Sequence, residues 1–445
     1  MSKFEDILKM MEYLLVIFYT AIFVFVIYKL PFFKSEGLSS KTLSGIFILK
    51  ILAGITMSLI YTYYYTDRNT ADIFKYFDDS KIMYDALYNK PGDFFRMLFG
   101  INNNSAYFDT NYYKVMNNWY RVYESNIYNE SHTIIRFNAL LRIFSFGYYN
   151  VHTVVMCFLS LIGLTGIYKS VIKYTQGKSK EMIFGIFLMP SVLFWGSGVL
   201  KEGLLFFAIG ILLYHFIKII HNFNFIYFLW IVAGCVLLYY TKFYILAIVI
   251  PILISHFWVY KTNEKNILLK YCIVFFAYII IGFNLHYIFP DYNIIDILVT
   301  KQRDFIGLAK FMNSGSYIEI PVLSPDIFSF IKYSPVAFYN TLFRPYFFET
   351  GSIFILFAGI ENFLILTILF LSIIFFDHKQ IHKSFFYASL FAVIFMFVLT
   401  GLITPVMGAI VRYKVPALPF LMILLFMMID KEKLINKIPF LKFLK

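Results

Sequence analysis

Apolar runs of about twenty residues recur along the whole of this 445-residue chain, and they narrow its choice of fold more than any other feature. Wound as a helix, a run of that length crosses a hydrocarbon core of about 30 Å. Inside lipid the backbone must satisfy its own polar groups, which a helix does within one segment. We read about eleven such runs, near 11–30, 43–65, 150–168, 181–196, 201–218, 224–241, 244–260, 270–289, 353–376, 384–402 and 413–430. The expected fold is all-α: a polytopic transmembrane helical bundle of ten to twelve spans, a single integral membrane domain over residues 1–445. Only 15% of the residues are charged, against about 25% in a soluble domain. The first run follows a short mixed-charge leader with no small-residue cleavage site, so it is expected to be retained as a span. The run at 181–196 contains Pro190, with Gly196 and Gly198 at its end, and is expected to be broken or re-entrant.

The net charge of +13 does not point to nucleic acid, because the lysines lie in short loops between apolar runs and form no basic helix or groove. Lys34 and Lys41 follow the first run, Lys169 to Lys180 the third, and Lys218 and His221 the fifth. Lys261 to Lys270 follow the seventh, Lys379 and Lys383 the ninth, and five lysines close the tail. Every second connection is basic, and the positive-inside rule assigns those connections to the cytoplasm. The N-terminus is then expected outside and the C-terminus inside. Cys157, Cys235 and Cys272 all sit in apolar runs without CxxC spacing, so packing is the expected role.

The two long connections, 66–149 and 290–352, fall on the opposite, outer side. Loops of that length are usually functional. In the first, Ile73, Phe74, Phe77, Tyr84, Leu87 and Tyr88 recur at helical spacing, and so do Ile134 to Phe144. Both segments are expected as amphipathic helices in the outer interface.

Four polar clusters collect on this side. Asp67-Arg68-Asn69-Thr70-Ala71-Asp72 follows the second run. A carboxylate there suits a general base acting on an acceptor hydroxyl, or else Asp67 or Thr70 simply caps a helix whose first turn holds Asp72. Trp195 to Gly203 places Lys201 and Glu202 after a glycine-rich break. Backbone donors freed at that break, with Lys201 beside them, suit a phosphate; a neutral ion pair with Trp195 in an interfacial belt is the other reading. The second long loop supplies Lys301, Arg303, Lys310 and the run Phe343-Arg344-Pro345-Tyr346, where the planar fork of Arg344 suits a phosphate. Arg412 and Lys414 open the last span, and either an anionic partner or snorkelling toward the headgroups accounts for them.

The order of these motifs resembles the C-type membrane glycosyltransferases, in particular the family 39-like group that uses polyprenyl-phosphate-linked sugars. The resemblance rests on Asp67 and Asp72 with the helix ending near Ala86, on Pro190 to Glu202, and on Arg412-Tyr413 with Pro416 and Pro419. Two departures stand out: the acidic loop follows the second span rather than the first, and Asp67-Arg68 replaces an adjacent acidic pair. The resemblance implies sugar transfer from a polyprenyl-phosphate donor to a glycan or lipid-linked acceptor, at the outer face of a bacterial plasma membrane. Asp67 or Asp72 would be the base. Arg344, Arg412, Lys414 and Lys201 would bind the substrate phosphate, with Glu202, Trp195 and Arg303 shaping the cavity. Membrane lipids are the other expected partners. No cofactor is identified. His132, His152 and His286 are scattered, so no metal ligands are assigned, although metal use varies among such enzymes. A polysaccharide polymerase and a lipid-linked oligosaccharide flippase are the alternatives; the absence of paired broken helices in matching halves weighs against transport.

Overall fold

The computed structural model describes residues 2–120, 128–349 and 352–444. Among them the secondary structure is helical, with three isolated β-bridges and no strand. The first helices are α1 (Ser2–Lys29), α2 (Ser40–Tyr63), α3 (Asp72–Asn89), α4 (Pro91–Phe99), α5 (Ala106–Asn111), α6 (Ser131–Ser145) and α7 (Tyr149–Val171). Then come α8 (Ser179–Ile183), α9 (Pro190–Trp195), α10 (Lys201–His221), α11 (Phe225–Lys261), α12 (Ile267–Phe283), α13 (Ile294–Phe311) and α14 (Ile327–Phe343). The chain ends in α15 (Ile353–Ile374), α16 (Lys383–Ile403), α17 (Met407–Tyr413), α18 (Leu418–Met428) and α19 (Lys431–Lys437). Among the described residues eight helical segments are long and apolar enough to cross a membrane, as an all-α, multi-pass bundle requires.

One of the eight is two spans in one. A straight helix of 37 residues would be about 55 Å long, but α11 has a non-helical backbone at Lys242, with φ −155° and ψ 86°. Near its start, Tyr227 and Trp230 lie against His215 of α10, with ring centroids 5.7 Å apart in both cases. Near its far end, Tyr260 lies 5.0 Å from His221 of the same helix. His215 and His221 are only about 9 Å apart along α10, so α11 folds back on itself at Lys242. This recovers the two spans expected at 224–241 and 244–260. Their connection shrinks to a single sharp kink.

The expected break at 181–196 is present. A π-helical turn at Phe184–Leu188 separates α8 from α9, and Met189 leaves the helical region before Pro190. Glu361 of α15 accepts the Ser191 N–H at 2.9 Å and also the Ser191 hydroxyl. A group exposed by the break is thereby satisfied inside the bundle, as lipid demands.

The basic connections lie together on one face. Lys169 donates to the Phe32 and Lys34 carbonyls at 2.7 and 3.0 Å. The Tyr174 ring lies against His382, with centroids 4.5 Å apart. Lys178 donates to the Ile429 carbonyl at 2.7 Å, and the Asp377 N–H donates to the Met428 carbonyl at 3.0 Å. The two long connections occupy the other face. There α3 and α6 form where the amphipathic patterns predict them. Their apolar stripes meet each other in a small core of Ile73, Tyr76, Met83, Phe94, Phe108, Trp119, Ile134 and Ile135, joined to Met57, Met156 and Leu204 at the span ends. Arg142 is buried in this cap: it lies 3.9 Å from the Phe77 ring centroid and donates to Ser80 Oγ at 2.8 Å.

The second long connection holds a helix the apolar reading left in the loop. In α14 the hydroxyl of Thr341 donates to the Phe397 carbonyl at 2.9 Å. Ala337 lies so close to Gly401 that a Cβ on that glycine would sit 2.1 Å from the Ala337 oxygen. The pairing 337–401 and 341–397 means that α14 descends antiparallel along α16. Ser329, Lys332, Ser334, Pro335 and Asn340 lower its apparent hydropathy, which is why it does not read as a membrane segment.

Candidate functional site

α7 and α10 run parallel, in close contact through small residues. A Cβ on Gly203 would sit 3.0 Å from the Met156 side chain, and one on Gly210 would sit 1.9 Å from the Gly163 oxygen. The start of α10 is therefore level with Met156, seven residues into α7 and roughly 10 Å below its first residue. Lys201 and Glu202 form the floor of a recess roofed by α3 and its neighbours.

Arg412 is the centre of this recess. Its Nε and Nη2 donate to Glu202 Oε1 and Oε2 at 2.9 and 3.2 Å, and its Nη1 donates to Asp72 Oδ2 at 2.8 Å. The Trp195 ring centroid lies 5.4 Å from the guanidinium. Lys242, carried in by the kink of α11, reaches Glu202 Oε1 at 3.4 Å and lies 4.9 Å from the Tyr413 ring centroid. Lys201 pairs with Glu130 at 3.3 Å. Glu202 is fully buried in the first turn of α10, where the helix dipole favours a carboxylate. Asp72 is the first residue of α3. Burial raises its carboxyl, but the Arg412 guanidinium, with Lys201 behind it, outweighs burial and holds it below the ordinary 3.8.

These groups border a cavity of about 470 Å³. Its wall carries the cations Lys75, Lys201, Lys242, Lys301 and Arg412, the acids Asp72, Glu130, Glu202 and Asp304, and the rings of Tyr76, Tyr244 and Tyr413. One side is apolar, built from Phe305 and Leu308 of α13, Met312 just after it, and Ile403 of α16. α13 is pinned there by Gln302, whose amide donates to the Leu402 and Pro321 carbonyls at 2.6 and 2.9 Å while its oxygen accepts the Leu323 N–H at 2.8 Å. Arg412 has five N–H donors and three serve Glu202 and Asp72, which leaves two for a ligand.

The residues singled out from sequence divide cleanly. Asp72, Lys201, Glu202 and Arg412 converge on the cavity, with Trp195 packed behind Arg412. Asp67 is exposed and does not line the cavity; its Oδ1 accepts the Asn69 N–H at 3.0 Å in a local turn. Neither Asp67 nor Thr70 caps α3, whose N-cap is Ala71. Arg344 turns its Nε to Glu349 at 2.6 Å. Lys414 is buried and gives its ammonium to the Thr341 and Arg344 carbonyls, both at 3.2 Å, and to Asn362 Oδ1 at 3.1 Å. Its three donors are thus used within the protein. Arg303 is exposed; two residues from Lys301 on a helix, it points to the other side of α13.

Glu130, Lys242, Tyr244 and Asp304 are among the site residues that the sequence reading missed. The one available signal was Lys242, a lone cation between two apolar runs. Among the described residues no group of three or more His, Cys, Asp or Glu side chains gathers as a metal site. No protein-family model matches this chain, and no curated protein and no solved structure matches it either.

Proposed function

We propose that the chain is a membrane glycosyltransferase that moves a sugar from a polyprenyl-phosphate-linked donor to a glycan or lipid-linked acceptor. The supporting observation is the bond from Arg412 to both Glu202 and Asp72, which gathers three motifs distant in sequence around one cavity. Such a cavity suits an amphipathic substrate. Cations and the spare donors of Arg412 would hold the phosphate and stabilise it as it departs, while the apolar wall of α13 would lie against the lipid. Asp72 and Glu202 would hold the guanidinium in position. The distribution of lysines supports placing this face outside a bacterial plasma membrane.

The test uses vesicles of a bacterial membrane containing the chain, whose lipid-phosphate pool has been charged with a radiolabelled sugar. Label should pass from lipid to glycan one sugar at a time, and farnesyl phosphate should compete. A ladder of preassembled repeats would indicate a polymerase instead. Movement of intact lipid-linked sugar across the membrane, without transfer, would indicate a transporter.

A further inference from the structure

Four carboxylates border the cavity, and three are already engaged. Glu202 holds Arg412 and Lys242, Asp72 holds Arg412, and Glu130 holds Lys201. Asp304 differs. Among the described residues its carboxylate pairs with none of the cations of the wall, and its Oδ2, shut off from solvent, has no hydrogen-bond partner. A carboxylate oxygen in that state is costly to maintain, and such an exception calls for an explanation, a catalytic role being one. Gln302 fixes α13 to the end of α16 and to the 321–323 segment, which holds the Asp304 backbone beside the cavity. Asp304 also stands where the two characters of the cavity meet, beside Phe305 and one turn after Lys301.

We propose that Asp304 is the general base of the transfer reaction, which rests on the glycosyltransferase reading above. The acceptor hydroxyl donates its hydrogen bond to the Asp304 carboxylate where it borders the cavity. As the acceptor oxygen bonds to the anomeric carbon of the donor sugar, its proton passes to the carboxylate. The bond between the anomeric carbon and the phosphate oxygen breaks, and its electron pair leaves on the polyprenyl phosphate, beside Arg412 and the lysines. Asp72 is less suited to this step, since its Oδ2 already accepts from Arg412 at 2.8 Å and a hydroxyl would have to compete with a guanidinium.

The experiment compares Asp304→Asn, Asp304→Glu and the natural chain in the vesicle assay, together with farnesyl phosphate binding to each purified protein in nanodiscs. Asp304→Asn should lower the transfer rate by about a hundred- to ten-thousandfold while farnesyl phosphate binding stays within about twofold, the effect falling on kcat. Asp304→Glu, which keeps the carboxylate, should retain part of the lost rate. Unchanged transfer in Asp304→Asn would overturn the role of Asp304 and leave the glycosyltransferase reading standing, as would loss of farnesyl phosphate binding in both variants. If the natural chain neither binds farnesyl phosphate nor transfers sugar, the functional reading itself is overturned, and the base goes with it.

Discussion

Arg412 and Glu202 stand 210 residues apart in sequence and meet as a two-pronged ion pair, Nε to Oε1 at 2.9 Å and Nη2 to Oε2 at 3.2 Å. The carboxylate is fully buried. Two charges removed from water together are tolerable; one left alone is not. Glu202→Gln should therefore destabilise the bundle by about 3–5 kcal/mol, because Arg412 and Lys242 would lose their shared counter-charge. Thermal unfolding in detergent measures this, and a midpoint equal to that of the natural chain would contradict it. Arg412→Lys should also fail to restore full stability, since an ammonium cannot span both carboxylate oxygens and reach Asp72 as well.

Asp67 and Asp72 separate the two sides of the acidic motif. Asp67 closes an exposed turn, whereas Asp72 touches the cavity's central arginine. Asp67→Asn should leave sugar transfer within about twofold, in line with other exposed substitutions. Asp72→Asn should lower it about tenfold or more, as Arg412 loses one of its anchors. The pair also predicts a pH signature. The Asp72 carboxyl is held below its ordinary value, so its contribution to stability is complete above about pH 4 and is lost as the pH falls through the depressed value. The unfolding midpoint of the natural chain should drop along that acid limb more steeply than the midpoint of Asp72→Asn. Parallel curves for the two proteins would rule this out.

Gly210 packs with its Cα against the Gly163 backbone, leaving no room for a Cβ. Small residues at such crossings let helices approach closely in a membrane. This contact sets the depth of Lys201 and Glu202, because it fixes how α10 slides along α7. Gly210→Leu should cost at least about 1–3 kcal/mol and weaken farnesyl phosphate binding, although it lies far from the cavity. Normal binding alongside lowered stability would show that the contact matters for packing alone.

What the sequence revealed depended on how far apart the deciding residues were. The apolar runs were legible because each is a local property of about twenty residues, although only eight helical segments among the described residues are long and apolar enough to cross a membrane. The helices at α3 and α6 were legible for the same reason. The cavity was legible only in part. Lys201 with Glu202, and Arg412, were conspicuous as charges at span ends, but Arg344 looked just as conspicuous and is paired with Glu349 five residues on. Lys301 and Arg303 looked interchangeable until α13 placed them on different sides. Asp304 carried no signal, since an acid in a mixed helix looks solvated until the packing of α13 shows which way it points.

The fold-back at Lys242 gives the topology a direct test. If α11 reverses there, Asn222 before it and Asn263 after it lie on the same side of the membrane. A continuous 37-residue helix would place them on opposite sides. Single-cysteine variants Asn222→Cys and Asn263→Cys, made in a chain whose own Cys157, Cys235 and Cys272 have been replaced by serine or alanine, report this through a membrane-impermeant maleimide. Both should be silent in intact spheroplasts and should label in inverted vesicles, because both sit among the basic connections that the positive-inside rule assigns to the cytoplasm. Lys81→Cys, on the exposed side of α3 in the cap, should show the reverse pattern. Opposite sidedness for the two asparagine positions would refute the fold-back, and with it the route by which Lys242 reaches Glu202. If all three patterns are inverted together, the fold-back stands and the cavity opens to the cytoplasm, which would remove the outer-face donor from the proposed reaction.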